Sequence, residues 1–220
     1  LRFGFDGYVG AAGGYVVVGD QVIYSEFMTK EDTDLALELL HKNGVFCTVE
    51  GVDGSWGDEN LGEFLAGQGE GNSEIERWRK ALAESLNIRP MGEYDGRPVF
   101  KVVIMCLKME QLSEAKAALE SRYDFVVQDI PAHGCVNGEL INRAFDKGRG
   151  LKRVCEALGV PVENSYSFGD SMNDLAAIQA AGHSICMANG SETLKQYCDL
   201  VCPSVDDDGL DWAFEKLGLM

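Results

Sequence analysis

Beyond about residue 143 the sequence alternates helix-like and strand-like segments with a regularity that leaves few folds open. Helical spacing over 150–158, 174–181, 192–197 and 210–217 is interleaved with short apolar runs at 165–168, 184–187 and 200–201. Repeated αβ units of this length build a parallel sheet wound with helices on both faces. Ligands of such sheets bind beyond the carboxyl ends of the strands, which is where chemistry is to be sought.

The region before residue 143 has a different rhythm. Two β-prone runs, Tyr15 to Val18 and Gln21 to Tyr24, flank Gly19-Asp20 and read as a tight hairpin. Thr29 and Asp32 form a capping pattern ahead of Leu35, Leu39 and Leu40, and Asn43-Gly44 is a helix stop, which predicts a helix over 30–43. A strand is expected at 45–49 and a short helix at 61–65 within an acidic, glycine-rich stretch. A second capping pattern, Ser73 and Glu76, precedes Ile75, Trp78, Leu82 and Leu86 at helical spacing. A strand at 99–107, a helix at 113–121 and a strand at 125–128 complete an α+β layer with its helices on one sheet face.

Composition limits the partners. The 220 residues carry 19 Lys+Arg against 36 Asp+Glu, a formal net charge of −17, so the average surface repels phosphate backbones and anionic lipid. Nucleic acid and membranes are thereby disfavoured, and no apolar run approaches the roughly 20 residues that span a bilayer. The seven cysteines are scattered without a Cys-x-x-Cys pair, which suits free thiols in a reducing, cytoplasmic setting better than disulfides or zinc. His41, His133 and His183 lie far apart without metal-ligand spacing, and each is read as structural.

The candidate site is the segment Ser165 to Asp174, a short strand ending in Gly169-Asp170 that turns at once into a helix. Asp170 stands at the strand's carboxyl end, and Asn173 and Asp174 follow in the first helical turn, able to face the same side. Such oxygens suit a hard cation like Mg²⁺. Spacing alone leaves a second reading open, in which Asp170 caps the helix and Asp174 complements its dipole. Lys147, between Asp146 and Gly148, offers a flexible positive charge for a phosphoryl oxygen, or is a solvated lysine at a turn. Gly148 is expected to let backbone approach a ligand. Asp206 to Asp208 are read as acids opening a helix, and the loop Gly51 to Gly57, with Asp53 and Trp56, as a specificity loop.

Lys147-Gly148, followed one helix and one strand later by Gly169-Asp170-Ser171-Met172-Asn173-Asp174, resembles the third and fourth motifs of the haloacid dehalogenase (HAD) superfamily. The match is closest to the Cof-type phosphatases. Ala188-Asn189-Gly190 and Asp206 to Leu210 are similar to that group's closing segments, so the resemblance covers essentially residues 143 to 220. It implies an α/β fold: the C-terminal part of a Rossmann-like parallel-sheet core (144–220), an inserted α/β cap domain (14–143) and a core strand (1–13) leading into it. Ala12-Gly13 stands where the family often has Asn-Gly. The resemblance implies Mg²⁺-dependent hydrolysis of phosphate monoesters of small metabolites through an aspartyl-phosphate. Asp170 would ligate Mg²⁺, Lys147 and Asn173 would bind the phosphoryl group, and Asp174 would support the metal shell or Lys147.

One departure bears on activity. The family's first motif, Asp-x-Asp-Gly-Thr, supplies nucleophile and general acid, and no such sequence occurs among the 220 residues. Gly4-Phe5-Asp6-Gly7-Tyr8 is the nearest imitation, with Gly4 at the nucleophile position, and Asp6 is read instead as a turn residue. Because the chain begins with Leu1, the expectation is that a strand, a helix and a strand are missing from its start and that the chain alone is inactive. The rival from another class is a non-catalytic binding or regulatory protein that lost the first motif. A phosphotransferase would keep the same residues and differ in the acceptor.

Overall fold

The computed structural model of the chain describes residues 4–66, 88–127 and 135–220, and these divide into two units, Leu1–Ser25 with Phe145–Met220, and Glu26–Ala144. The expected boundary at 13/14 therefore falls twelve residues later, and that at 143/144 one residue later. The hairpin expected in the inserted domain belongs to the first unit. The reason is its pairing: β1 (Gly7–Gly10), expected as a core strand, runs antiparallel to β2 (Tyr15–Val18), which pairs in turn with β3 (Gln21–Ser25). The hairpin cannot leave β1 without breaking that ladder.

In the inserted unit, α1 (Lys30–Lys42) begins where Thr29 Oγ1 accepts the Asp32 N–H at 3.1 Å and stops before Gly44, whose φ of +67° suits glycine. A six-stranded sheet follows. Its strands are β4 (Phe46–Gly51), β5 (Ser55–Gly57), β6 (Ile88–Pro90), β7 (Val99–Cys106), β8 (Tyr123–Val127) and β9 (Val136–Asn142), in the order β6-β5-β4-β7-β9-β8. Every neighbouring pair is antiparallel except β5 and β6.

Strand β7 explains the layering. Alternate side chains leave opposite faces, and Val102, Ile104 and Cys106 pack with Ala36, Leu40 of α1 and Ala115, Leu119 of α3 (Ser113–Leu119). Val103 and Met105 point the other way, against Leu61 and Leu65 of α2 (Leu61–Ala66). Helices were expected on one face only, but the near-continuous apolar run of β7 requires cover on both. The helix expected around Trp78 lies outside the described residues. Trp56 is 1% exposed and packs against Tyr94 with the rings tilted and their centroids 5.5 Å apart, while Asp53 pairs with Arg97. Trp56 is thus core, which removes it from the expected specificity loop.

The other unit contains the parallel sheet that the αβ rhythm predicts. Strands β10 (Tyr166–Gly169), β11 (His183–Met187) and β12 (Leu200–Cys202) lie side by side in that order, all parallel. Along β11, Ile185 and Met187 join Ala213 of α7 (Gly209–Leu217), and Cys186 faces Ile178 of α5 (Leu175–Ala180) and Leu194 of α6 (Glu192–Lys195). Both faces are covered, which makes this a Rossmann-like, doubly wound core. Helix α4 (Lys147–Leu158) starts with Asp146 Oδ1 accepting the Arg149 N–H at 2.7 Å and ends at Gly159, φ +66°.

Candidate functional site

The geometry of the site follows from how closely backbone segments approach at the end of β10. A Cβ on Gly169 would lie 2.8 Å from the Asp174 Cβ, and one on Gly190 would lie 2.6 Å from the Asp170 carbonyl oxygen. Gly169 makes room for the Asp174 side chain against the end of β10, and Gly190 lets the turn after β11 close on the turn after β10. The Asp170 carbonyl accepts the Ser191 N–H at 2.7 Å. Asn189 Oδ1 accepts the Val205 N–H at 3.1 Å, tying the next loop to the same end of the sheet.

Three of the four site residues expected from sequence form one hydrogen-bonded group. Lys147 Nζ donates to Asp174 Oδ1 at 2.5 Å and to Asn173 Oδ1 at 3.1 Å. Asp174 Oδ2 accepts the Asp170 N–H at 3.1 Å, so both oxygens of this carboxylate, 15% exposed, are engaged. Ser171 Oγ donates to Asn173 Oδ1 at 2.9 Å, a contact with no sequence signal beyond its place between Asp170 and Asn173. The fourth residue, Asp170, is joined through its backbone only. Its exposed carboxylate makes no hydrogen bond or ion pair among the described residues.

Lys147 is the first residue of α4, and two glycines place the helix. A Cβ on Gly13, φ +106°, would lie 2.2 Å from the Asp146 carbonyl oxygen, so the turn after β1 presses on the start of α4. Ala11 and Ala12, at φ +49° and +57°, hold left-handed conformations that cost an alanine about 1 kcal/mol or more each. Gly148 was expected to admit a ligand. A Cβ there would lie 2.2 Å from the Ala176 carbonyl oxygen, so its role is the close crossing of α4 on α5.

Two cavities meet at these residues. One, of about 420 Å³, is lined by Tyr8, Leu151, Phe168, Lys147 and Asp174, and also by Asp6, the residue read as a turn. Asp6 does occupy a bend before β1, where its carbonyl accepts the Gly19 N–H. The second, of about 260 Å³, opens at the carboxyl ends of β10 and β11 and is lined by Asp170, Asp174, Met187 and Asn189. Hard cations such as Mg²⁺ take one or two carboxylates and fill the remaining positions with water or phosphate oxygen. The donor set fits such an ion: one uncommitted carboxylate, Asp170, beside one whose oxygens are already spoken for.

A sequence model described as haloacid dehalogenase-like hydrolase matches residues 2–214. The chain belongs to this family. Among its relatives is the 5-amino-6-(5-phospho-D-ribitylamino)uracil phosphatase YwtE of Bacillus subtilis, 26% identical over 147 residues, which span 64% of this chain and 50% of that protein. A phosphoglycolate phosphatase of Methanosarcina acetivorans is 28% identical over 171 residues, 76% of this chain and 74% of the other. The chain spans about half the length of the first curated relatives it matches. The HAD subclass IIB sugar phosphatase BT4131 superimposes with a TM-score of 0.76 at 21% identity, covering 100% of this chain and 78% of that one. A haloacid dehalogenase-like hydrolase from B. subtilis gives 0.74 at 21% identity, with 95% and 79% covered. At these identities the superpositions speak for the fold: a HAD-type core with an inserted α/β unit.

Proposed function

We propose that this HAD-family chain carries the metal and phosphoryl-binding part of a phosphatase acting on small phosphorylated metabolites. The observation that carries the reading is the Lys147 ammonium, held by Asp174 and Asn173, with Asp174 also bonded to the backbone of Asp170, whose carboxylate has no partner among the described residues. Asp170 would hold Mg²⁺. That ion would supply Lewis-acid stabilisation of charge on a phosphoryl oxygen. The Lys147 ammonium offsets negative charge on the phosphoryl group, and Asp174 fixes where that ammonium points while adding no free oxygen of its own. Asn173 offers its amide N–H₂ to a phosphoryl oxygen, since its carbonyl oxygen is already shared by Lys147 and Ser171. The relatives' names, all of phosphatases, support the reaction class. Seven free thiols support a cytoplasmic setting.

The nucleophile of the reading is not among these residues, since no Asp-x-Asp-Gly-Thr occurs in the 220-residue sequence. The 220-residue chain is therefore expected to bind without turning over. The same observation favours a second reading, a non-catalytic binding protein, and an in-frame Asp-x-Asp-Gly-Thr upstream of Leu1 would decide for the enzyme. Equilibrium binding of inorganic phosphate, with and without Mg²⁺, tests what the two readings share. Loss of a charge-assisted contact costs about 1.5–3 kcal/mol, or about 10- to 100-fold in affinity. That loss is expected in Asp170→Asn, only with Mg²⁺ present, and in Lys147→Ala. Equal binding by all three proteins would sink both readings. Turnover of an aryl phosphate that Asp170→Asn abolishes would instead show that the chain has a nucleophile.

A further inference from the structure

A second cluster of metal-ligating side chains lies in the inserted unit. His41, in the last turn of α1, Cys47 on β4 and Asp58 just after β5 hold Nε2, Sγ and a carboxylate oxygen within 4.8 Å of one another. Topology brings them together. Thr48 pairs with Gly57 and the Asp58 N–H donates to the Cys47 carbonyl at 3.0 Å, so Cys47 and Asp58 are directly opposed. Opposed residues of antiparallel strands share a face, and Cys47 packs with Ala36 and Leu40 of α1. The sharp stop at Asn43-Gly44 folds the end of that helix back over the start of β4, where Val45 N–H donates to the Leu40 carbonyl at 3.0 Å.

The bonds already present leave the right atoms available. Asp58 Oδ2 accepts from the Cys47 N–H at 2.7 Å and lies 3.1 Å from His41 Nε2. Among the described residues the Cys47 thiol has only a long contact, 3.8 Å, to the Val45 carbonyl. A Cys, His and Asp in contact could also be a catalytic nucleophile with its base and orienting acid, but that needs an accessible, acidified thiol. Cys47 is 0% exposed, and burial, followed by the Asp58 charge, pushes its thiol well above the usual range. Such a thiol is inert unless a cation takes its proton's place.

We infer that His41, Cys47 and Asp58 form a binding site for a borderline-soft divalent cation of the Zn²⁺ type. Thiolate and imidazole select Zn²⁺ over Mg²⁺ or Ca²⁺, which prefer oxygen alone. Tetrahedral bonds of about 2.0–2.3 Å put ligand atoms of one zinc ion about 3.3–3.6 Å apart. His41 and Asp58, 3.1 Å apart, stand just inside that spacing, and the sulfur, within 4.8 Å of both, is brought in by side-chain rotation. The charges balance: one dication against a thiolate, a carboxylate and a neutral imidazole, with water in the fourth position. Binding breaks the Cys47 S–H bond and releases that proton to solvent, and a second proton leaves where His41 was protonated. A bound ion would join the end of α1 to two strands.

The test is titration of the chelator-stripped 220-residue chain, kept reduced by a phosphine, with Zn²⁺ and with Co²⁺. One equivalent should bind with proton release, and Co²⁺ should give a thiolate-to-metal charge-transfer band. Cys47→Ser should abolish the band and Cys106→Ser should keep it. His41→Gln and Asp58→Asn change part-exposed groups that leave the core intact, and each should weaken Zn²⁺ binding about tenfold or more. Asp170→Asn should leave Zn²⁺ affinity unchanged, which separates this site from the one proposed for Mg²⁺. Persistence of the band in Cys47→Ser, unchanged affinity in both His41→Gln and Asp58→Asn, or no band in the parent chain would each overturn the assignment.

Discussion

The two units differ in what dominates their packing. In the unit that holds Asp170, glycines sit where backbone touches backbone: Gly13 on Asp146, Gly148 on Ala176 and Gly190 on Asp170. In Glu26–Ala144 the fold rests on large side chains, with Trp56, Leu40, Ile104, Leu119, Tyr123 and Leu140 essentially excluded from solvent. One unit is fixed by close approach of the main chain around a polar site, the other by the volume of its core.

Unfolding measurements can break or sharpen that contrast. The largest effect is expected from Trp56→Ala, which empties a core position and should cost about 3–5 kcal/mol by urea denaturation. A loss under about 1 kcal/mol would show that packing does not define the inserted unit. Next comes a pair with opposite signs. Gly148→Ala drives a methyl into the Ala176 carbonyl and should cost about 1–3 kcal/mol. Gly62→Ala, on α2 with nothing within 4 Å, should instead stabilise by about 0.4–1 kcal/mol. Equal effects would erase the distinction.

Smaller effects belong to charge. Asp32, 7% exposed, accepts from Arg122 Nε at 3.0 Å and Tyr123 OH at 2.9 Å. Burial pushes its carboxyl up, but the hydrogen bonds from Arg122, Tyr123 and Thr29 and the Arg122 charge outweigh that and hold it below 3.8. The Tyr123 phenol is pushed up to about 12 by burial and then by this carboxylate, so it remains a donor. With the folded value depressed, the stabilisation is complete above 3.8 and disappears as pH falls through the folded value. Asp32→Asn should cost about 1–2 kcal/mol at neutral pH and flatten the acid limb of a stability–pH curve. An unchanged acid limb would contradict this.

The smallest effect should come from His41. Its hydrogen bond to Asp58 raises its pKa from 6.5 against the opposing effect of burial, and the Asp58 charge adds to the rise. A raised value gives stability that is complete below 6.5 and is lost as pH climbs through the folded value. For so exposed a pair the gain is below about 1 kcal/mol. His41→Gln should remove the step from metal-free stability measured between slightly acid and alkaline pH, and a step that survives would assign it elsewhere.

The sequence was most informative where one physical rule dominated. The αβ alternation after residue 143 corresponds closely to β10, β11, β12 and the helices around them, because each strand alternates between two covered faces. That Lys147, Asn173 and Asp174 meet was legible because two short motifs place them at a helix start and a strand end. Elsewhere the deciding contacts are long-range. β9 was missed because Asn137, Gly138 and Glu139 interrupt its apolar residues, and only pairing with β7 and β8 makes it a strand. Gly148 carried no mark of the helix it touches. His41, Cys47 and Asp58 were read apart because a cross-strand pair and a helix end meet without any fixed spacing.

The hydrogen bond from the Ser191 amide to the Asp170 carbonyl makes a single backbone proton a sentinel for the whole site. That amide can exchange with solvent deuterium only when the turn carrying Asp170 parts from the turn after β11. Its exchange rate therefore counts how often the floor beneath Lys147 and Asp174 comes apart, in a chain with or without catalytic turnover.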